Sequence, residues 1–95
     1  MRIENIVCSQ RTEIKLESKH NVTLREARQI FFSNPRIRFA EKGHTLGEDV
    51  YAAFGQTLGG RYLSVFFIYK AARRTAAIIS ARDMSDKERK AYGRK

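Results

Sequence analysis

The chain of 95 residues has one cysteine, one proline and no apolar run that approaches a membrane span. Each scarcity removes a class of protein. A lone Cys8 excludes an internal disulfide and a multi-cysteine zinc site, and its simplest reading is a small buried hydrophobe. The lone Pro35, in "SNPR", marks a turn rather than a linker, and no repeat or low-complexity tract divides the chain. The opening "MRIENIVCSQ" is too short and polar for a signal peptide, and the basic segments lack the broad apolar face of an interfacial helix. One domain over residues 1–95, soluble in a reducing cytoplasm and with no membrane role, is the expectation.

Acidic residues are also scarce, 10 against 19 Lys and Arg, which leaves a formal charge of +9. The surplus is uneven, because nine of the basic and three of the acidic residues lie from Lys70 onward. Such a field attracts polyanions, of which nucleic acid is the commonest in a cell.

"IENIVCS" reads as a short first strand, and Arg11 to Lys19 as a helix. Thr23-Leu24-Arg25-Glu26 has the spacing of a capping box, so a second helix starts at Leu24 with Leu24, Ala27, Ile30 and Phe31 on its core face. Asn21 precedes it, where a left-handed backbone is tolerable. After Pro35 the period becomes two. "RIRFA" alternates, "DVYAAFGQT" and "RYLSVFFIYK" are joined by Leu58-Gly59-Gly60, and "TAAIISAR" is a further strand. A second box, Ser85 to Glu88, starts a last helix that reaches Tyr92. The fold class is α+β: an antiparallel sheet of about four strands, two N-terminal helices and one C-terminal helix.

Strand alternation puts Ala76, Ile78, Ser80 and Arg82 on one face, with Arg82 at the tip. A guanidinium there suits bidentate capture of phosphate; an ion pair with Asp83 or Asp86 is the plainer alternative. Arg61, Arg73, Arg74, Arg89 and Tyr92 are expected to converge with it, a combination that suits single-stranded RNA. Arg36, Arg38 and Lys90 add to the candidate RNA-binding set. His20 and His44 are acid-base candidates, with turn and loop roles as their alternatives. Tyr92 transfers a proton, stacks on a base, or pins its helix to the sheet. No metal cluster, Walker loop or dinucleotide fingerprint is present, and no cofactor is expected.

"GQTLGGRYLSVFFIYK", "IISARDMSDKERKAY" and "KHNVTLREARQIFFSNPR" resemble the BrnT family of bacterial toxins. The resemblance spans about Lys19 to Tyr92 and rests on His20, Gly55, Gly60, Arg61, Ser80, Ala81, Arg82, Glu88, Arg89 and Tyr92. It departs at Asn21, where glycine is usual, at Cys8, where many relatives have tryptophan, and at "GEDVYAAFG", where relatives often have an acid- and arginine-rich stretch before "AIG", so that the resemblance does not carry a catalytic role over to Glu48. What it implies is a RelE-like fold and an endoribonuclease toxin held inactive by a BrnA-like ribbon-helix-helix antitoxin, through which the complex would reach operator DNA. The chemistry expected is metal-independent attack of a ribose 2′-OH on phosphorus. Arg61 and Arg82 would clamp the phosphorane, with Tyr92 and His20 as further catalytic candidates. A noncatalytic nucleic-acid binder and a partner-binding module are the other readings of the same basic surface.

Overall fold

The computed structural model describes residues 1–93. In chain order the elements are β1 (Asn5–Cys8), α1 (Gln10–His20), α2 (Leu24–Phe31), β2 (Arg36–Glu41), β3 (Val50–Gln56), β4 (Tyr62–Lys70), a 3-10 turn (Ala71–Arg73), β5 (Thr75–Asp83) and α3 (Asp86–Gly93). The three helices and the α+β class are as expected. The sheet is not. It has five strands in the order β1-β5-β4-β3-β2, and β1 lies parallel to β5, so it is mixed rather than antiparallel. The N-terminal strand is carried to the far edge by the α1–α2 crossover, a non-local pairing that alternation cannot register.

Local signals set the helix ends. Ser9 caps α1, accepting from the Thr12 amide, and Asn21 ends it at φ 52°, left-handed as anticipated. The reciprocal Thr23–Glu26 box starts α2. Helices α1 and α2 cover one face of the sheet, where Leu16, Val22, Ala27 and Ile30 meet Ala53, Leu63, Val65, Phe67, Ala76, Ile78 and Ala81. Phe67 is fully buried and meets the Phe31 ring edge-on at 5.2 Å.

Gly55 lets α2 lie this close. A Cβ there would stand 2.7 Å from Ser33 Oγ and 3.1 Å from Ile30 Cγ2, and Ser33 is itself tied to the Ile30 carbonyl at 2.8 Å. Gly55→Val is therefore expected to destabilise by about 2 kcal/mol through overpacking. A thermal melt should show this as a drop of about 10 °C.

The β4–β5 ladder slips between Phe66 and Phe67: Phe66 faces Ser80 while Phe67 faces Ile78, leaving Ile79 as the extra residue. The bulge reverses the alternation assumed for β5. Ala76, Ile78 and Ala81 point to the helix-covered face, whereas Ser80 and Arg82 point to the opposite one, which α3 partly covers.

Candidate nucleic-acid interface

On the α3 face one cross-strand row runs Arg82, Ser64, Phe54, Arg36 across β5, β4, β3 and β2. At normal strand spacing its two arginines stand about 14 Å apart at their Cα atoms. The next row runs Ser80, Phe66, Ala52, Arg38. Helix α3 lies over the first row, with the Tyr92 ring 6.0 Å from that of Tyr62 and the Arg89 guanidinium 3.7 Å over Tyr62. Arg36 reaches the Ala91 carbonyl at 3.4 Å and stands 5.9 Å from the Tyr92 ring. Between β2 and α3 a cavity of about 360 Å³ is lined by Arg36, Arg38, Phe54, Lys87, Glu88 and Tyr92 among others.

Arg82 and Glu88 organise the other side of α3. Glu88 completes the second capping box, accepting from the Ser85 amide at 2.9 Å while its own amide donates to Ser85 Oγ at 3.1 Å. Its Oε1 also accepts from Arg82 Nη1 at 2.6 Å and Ser64 Oγ at 3.1 Å, and its Oε2 from Arg82 Nη2 at 2.8 Å. Sequence reasoning offered Asp83 or Asp86 as the carboxylate partner; the structure supplies Glu88 instead, six residues away.

A guanidinium has five N–H groups. Arg82 spends two from Nη1, on Glu88 and the Asp83 carbonyl, and one from Nη2 on Glu88. The Nε–H and the second Nη2–H meet no acceptor among the described residues. Those two hydrogens form one side-on edge, the geometry that takes two phosphate oxygens at once. The Arg82 side chain is 37% exposed, and the Phe66 ring lies 5.1 Å from its Cζ.

Arg61 is the contrast. Its Nε and Nη2 hold the two Asp83 oxygens at 2.8 and 3.2 Å, Nη2 also reaches the His20 carbonyl, and Nη1 reaches the Asn21 carbonyl and Glu26. All five donors are taken. The group sits on the α1–α2 face and ties the interhelix turn to the tip of β5. The expected clamp of Arg61 with Arg82 is therefore not formed: the two guanidiniums lie on opposite faces, and Arg61 has no free edge. His20, exposed at the same turn, is on the Arg61 side as well.

The remaining candidates divide by position. Arg36, Arg38, Arg82, Arg89 and Tyr92 gather around α3. Arg73 and Arg74 sit at the other end of the β4–β5 hairpin, about 20 Å from Arg82 along the strands, and Arg74 pairs with Glu4 at 3.1 Å. Lys90 is exposed on α3. His44 lies in the exposed loop before β3, and Glu48 pairs with Lys70 at 3.2 Å, away from α3. Cys8 is half-buried against the core, and burial together with Glu13 raises its thiol pKa. Sequence reasoning missed Ser64, Phe54, Tyr62 and Lys87. Ser64 had a signal, a lone hydroxyl inside an apolar central strand.

Electrostatics separates the two arginine sites. Hydrogen bonds from Arg82 pull the Glu88 carboxyl down to about 2, aided by the Ser85 amide and Ser64 against the cost of burial. Arg61 likewise lowers Asp83, and the Thr23 amide leads in lowering Glu26. Because the folded Glu88 value lies below its unfolded value, the stability it contributes is complete above about pH 5 and is lost as pH falls toward 2. Urea titrations should lose about 2 to 3 kcal/mol over that window through this one group. Glu88→Gln should flatten that part of the profile, and an unchanged profile would show that the pair does not hold.

Among the described residues no group of three or more His, Cys, Asp or Glu is placed to hold a metal ion, and no helix is long and apolar enough to cross a membrane. A family model described as the ribonuclease toxin, BrnT, of type II toxin-antitoxin systems matches residues 10–88. The fold is similar to that in the 1.1 Å crystal structure of the ribonuclease toxin BrnT of Brucella abortus, with a TM-score of 0.63 and 17% sequence identity over 86% of this chain and 97% of that one. The sequence matches no curated protein.

Proposed function

The chain belongs to the BrnT family of ribonuclease toxins of type II toxin-antitoxin systems, and from that premise we propose that it is a metal-independent endoribonuclease whose single domain cuts RNA at the α3 face. The observation that carries this reading is the unspent Nε–Nη2 edge of Arg82, on the same sheet face as a cavity lined by Arg36, Arg38 and Tyr92 across α3, with Glu88 shared between the two.

The substrate is single-stranded RNA. Its bases find the Phe54, Tyr62, Phe66 and Tyr92 rings, and its phosphates find Arg36, Arg38, Lys87 and Arg89. In the bond-breaking step the ribose 2′-oxygen attacks the adjacent phosphorus, the 2′-proton passes to solvent, and the bond from phosphorus to the 5′ oxygen breaks. Glu88 is not the proton acceptor, because a carboxylate held near 2 and committed to Arg82 is a weak base. The Arg82 edge neutralises charge that builds on the phosphorane, a charge that does not titrate away. Tyr92 is the candidate donor to the departing 5′ oxygen, and its phenolate recovers a proton from solvent, which offsets the 2′-proton released there. The products are a 2′,3′-cyclic phosphate and a 5′-hydroxyl, and the atoms balance without water entering. Arg61 and His20 support the scaffold in this reading and do not touch the phosphate.

Growth arrest in the cytoplasm is the consequence. A protein antitoxin relieves it, and the family resemblance points to a BrnA-like ribbon-helix-helix partner on a RelE-like toxin; operator DNA is met only through that partner. Induced expression with a growth curve and a gel of total RNA tests the reading. Arrest with shortened RNA is expected. RNA that is bound but never shortened would transfer the assignment to a noncatalytic binder.

A further inference from the structure

Ser64 is fully buried near the start of β4, under α3, with its hydroxyl donating to Glu88 Oε1 at 3.1 Å. The same oxygen receives Arg82 Nη1 and the Ser85 amide. A carboxylate needs no third donor on one oxygen to cap a helix, since a capping box uses only one. What the third donor adds is direction. With the Ser85 amide, it fixes the Oε1 position from the sheet and from the helix end at once, and the guanidinium plane follows the carboxylate plane through two parallel hydrogen bonds.

We infer that Ser64 is a positioning residue for RNA cleavage: through Glu88 it holds the end-on edge of Arg82, so that the Nε–Nη2 edge is turned to the two non-bridging oxygens of the scissile phosphate. This rests on the functional reading above. Ser64 itself never touches RNA, because it is covered. The Phe66 ring and the Asp83 carbonyl hold the guanidinium from other directions, so loss of the Ser64 hydroxyl loosens the fork without releasing it. No buried acceptor is orphaned in Ser64→Ala, since Glu88 keeps its other three donors.

The test measures kcat and KM with the purified full chain and a fluorescent single-stranded oligoribonucleotide, for wild type, Ser64→Ala, Arg82→Lys and the double variant. Lysine keeps the charge and has no bidentate edge. Ser64→Ala is expected to lower kcat about tenfold through misorientation, with KM about unchanged. In the Arg82→Lys background the same substitution is expected to cost nothing further, because its effect passes through the fork. Wild-type kcat in Ser64→Ala would overturn the inference, and so would a tenfold loss that persists beside lysine. Failure of the wild-type chain to cut the probe would overturn the functional reading first, and the inference with it. Should Ser64→Ala fold poorly by circular dichroism, Glu88→Gln decides. Glutamine still serves in a capping box, so α3 stays capped while the carboxylate grip on Arg82 is lost. The same fall in kcat is expected, and an undiminished kcat would overturn the inference.

Discussion

Arg82→Ala is expected to lower RNA cleavage by about a hundredfold to a thousandfold, the usual cost of removing one preorganised electrostatic donor from a reacting centre. The size follows from what is lost. Arg82 is held on one edge by Glu88, on Nη1 by the Asp83 carbonyl and from below by Phe66, so in the proposed cleavage its free edge would meet the phosphate with little reorganisation. Truncation leaves Glu88 bonded to Ser64 and the Ser85 amide, and the carboxylate is partly exposed. The stability cost should accordingly stay at about 1 to 2 kcal/mol. Circular dichroism and a melt establish that the variant is folded before its rate is interpreted. Loss of growth arrest with antitoxin binding largely intact is the matching result in cells. Wild-type toxicity in this variant would reject the assignment.

Arg61→Ala should do the reverse. It removes a fork on Asp83, an ion pair with Glu26 and two bonds to the carbonyls of the α1–α2 turn. None of these faces α3. The expected cost is about 2 to 4 kcal/mol, the range for breaking a part-buried charged network, or a fall in Tm of about 10 to 20 °C for a domain of this size. Cleavage per folded molecule, measured well below the lowered Tm, should remain near wild type. Chain stability that did not change while cleavage vanished would place Arg61 in the chemistry and contradict the division between the two faces.

Several parts of this architecture were legible in the sequence because they are local. Both capping boxes, the left-handed Asn21, the glycine hairpin after β3 and the period change at Pro35 depend on residues within a few positions of one another. The pairing of β1 with β5 joins residues about 70 apart and leaves no local trace. The Ile79 bulge inverted the faces of β5, and a strict alternation rule has no means of placing an extra residue. That error had a functional consequence, because it put Arg82 among the core positions of β5 when it actually points toward α3. Arginine type alone could not separate Arg61 from Arg82 either. Both are strand-end arginines, and only a count of donors against acceptors shows one saturated and the other with two of its five N–H groups free. Ser64 was visible as an oddity in "RYLSVFFIYK", yet its partner Glu88 was already explained as a helix cap, which concealed its bonds to Arg82 and Ser64.

The most direct measurement is the end-group chemistry of RNA treated with the purified chain in EDTA, beside Arg82→Ala prepared in the same way. The account predicts shortened fragments that carry 2′,3′-cyclic phosphate and 5′-hydroxyl ends with the wild-type protein, and almost none with the variant. Intact RNA, fragments with 5′-phosphates, or equal cutting by both preparations would contradict it.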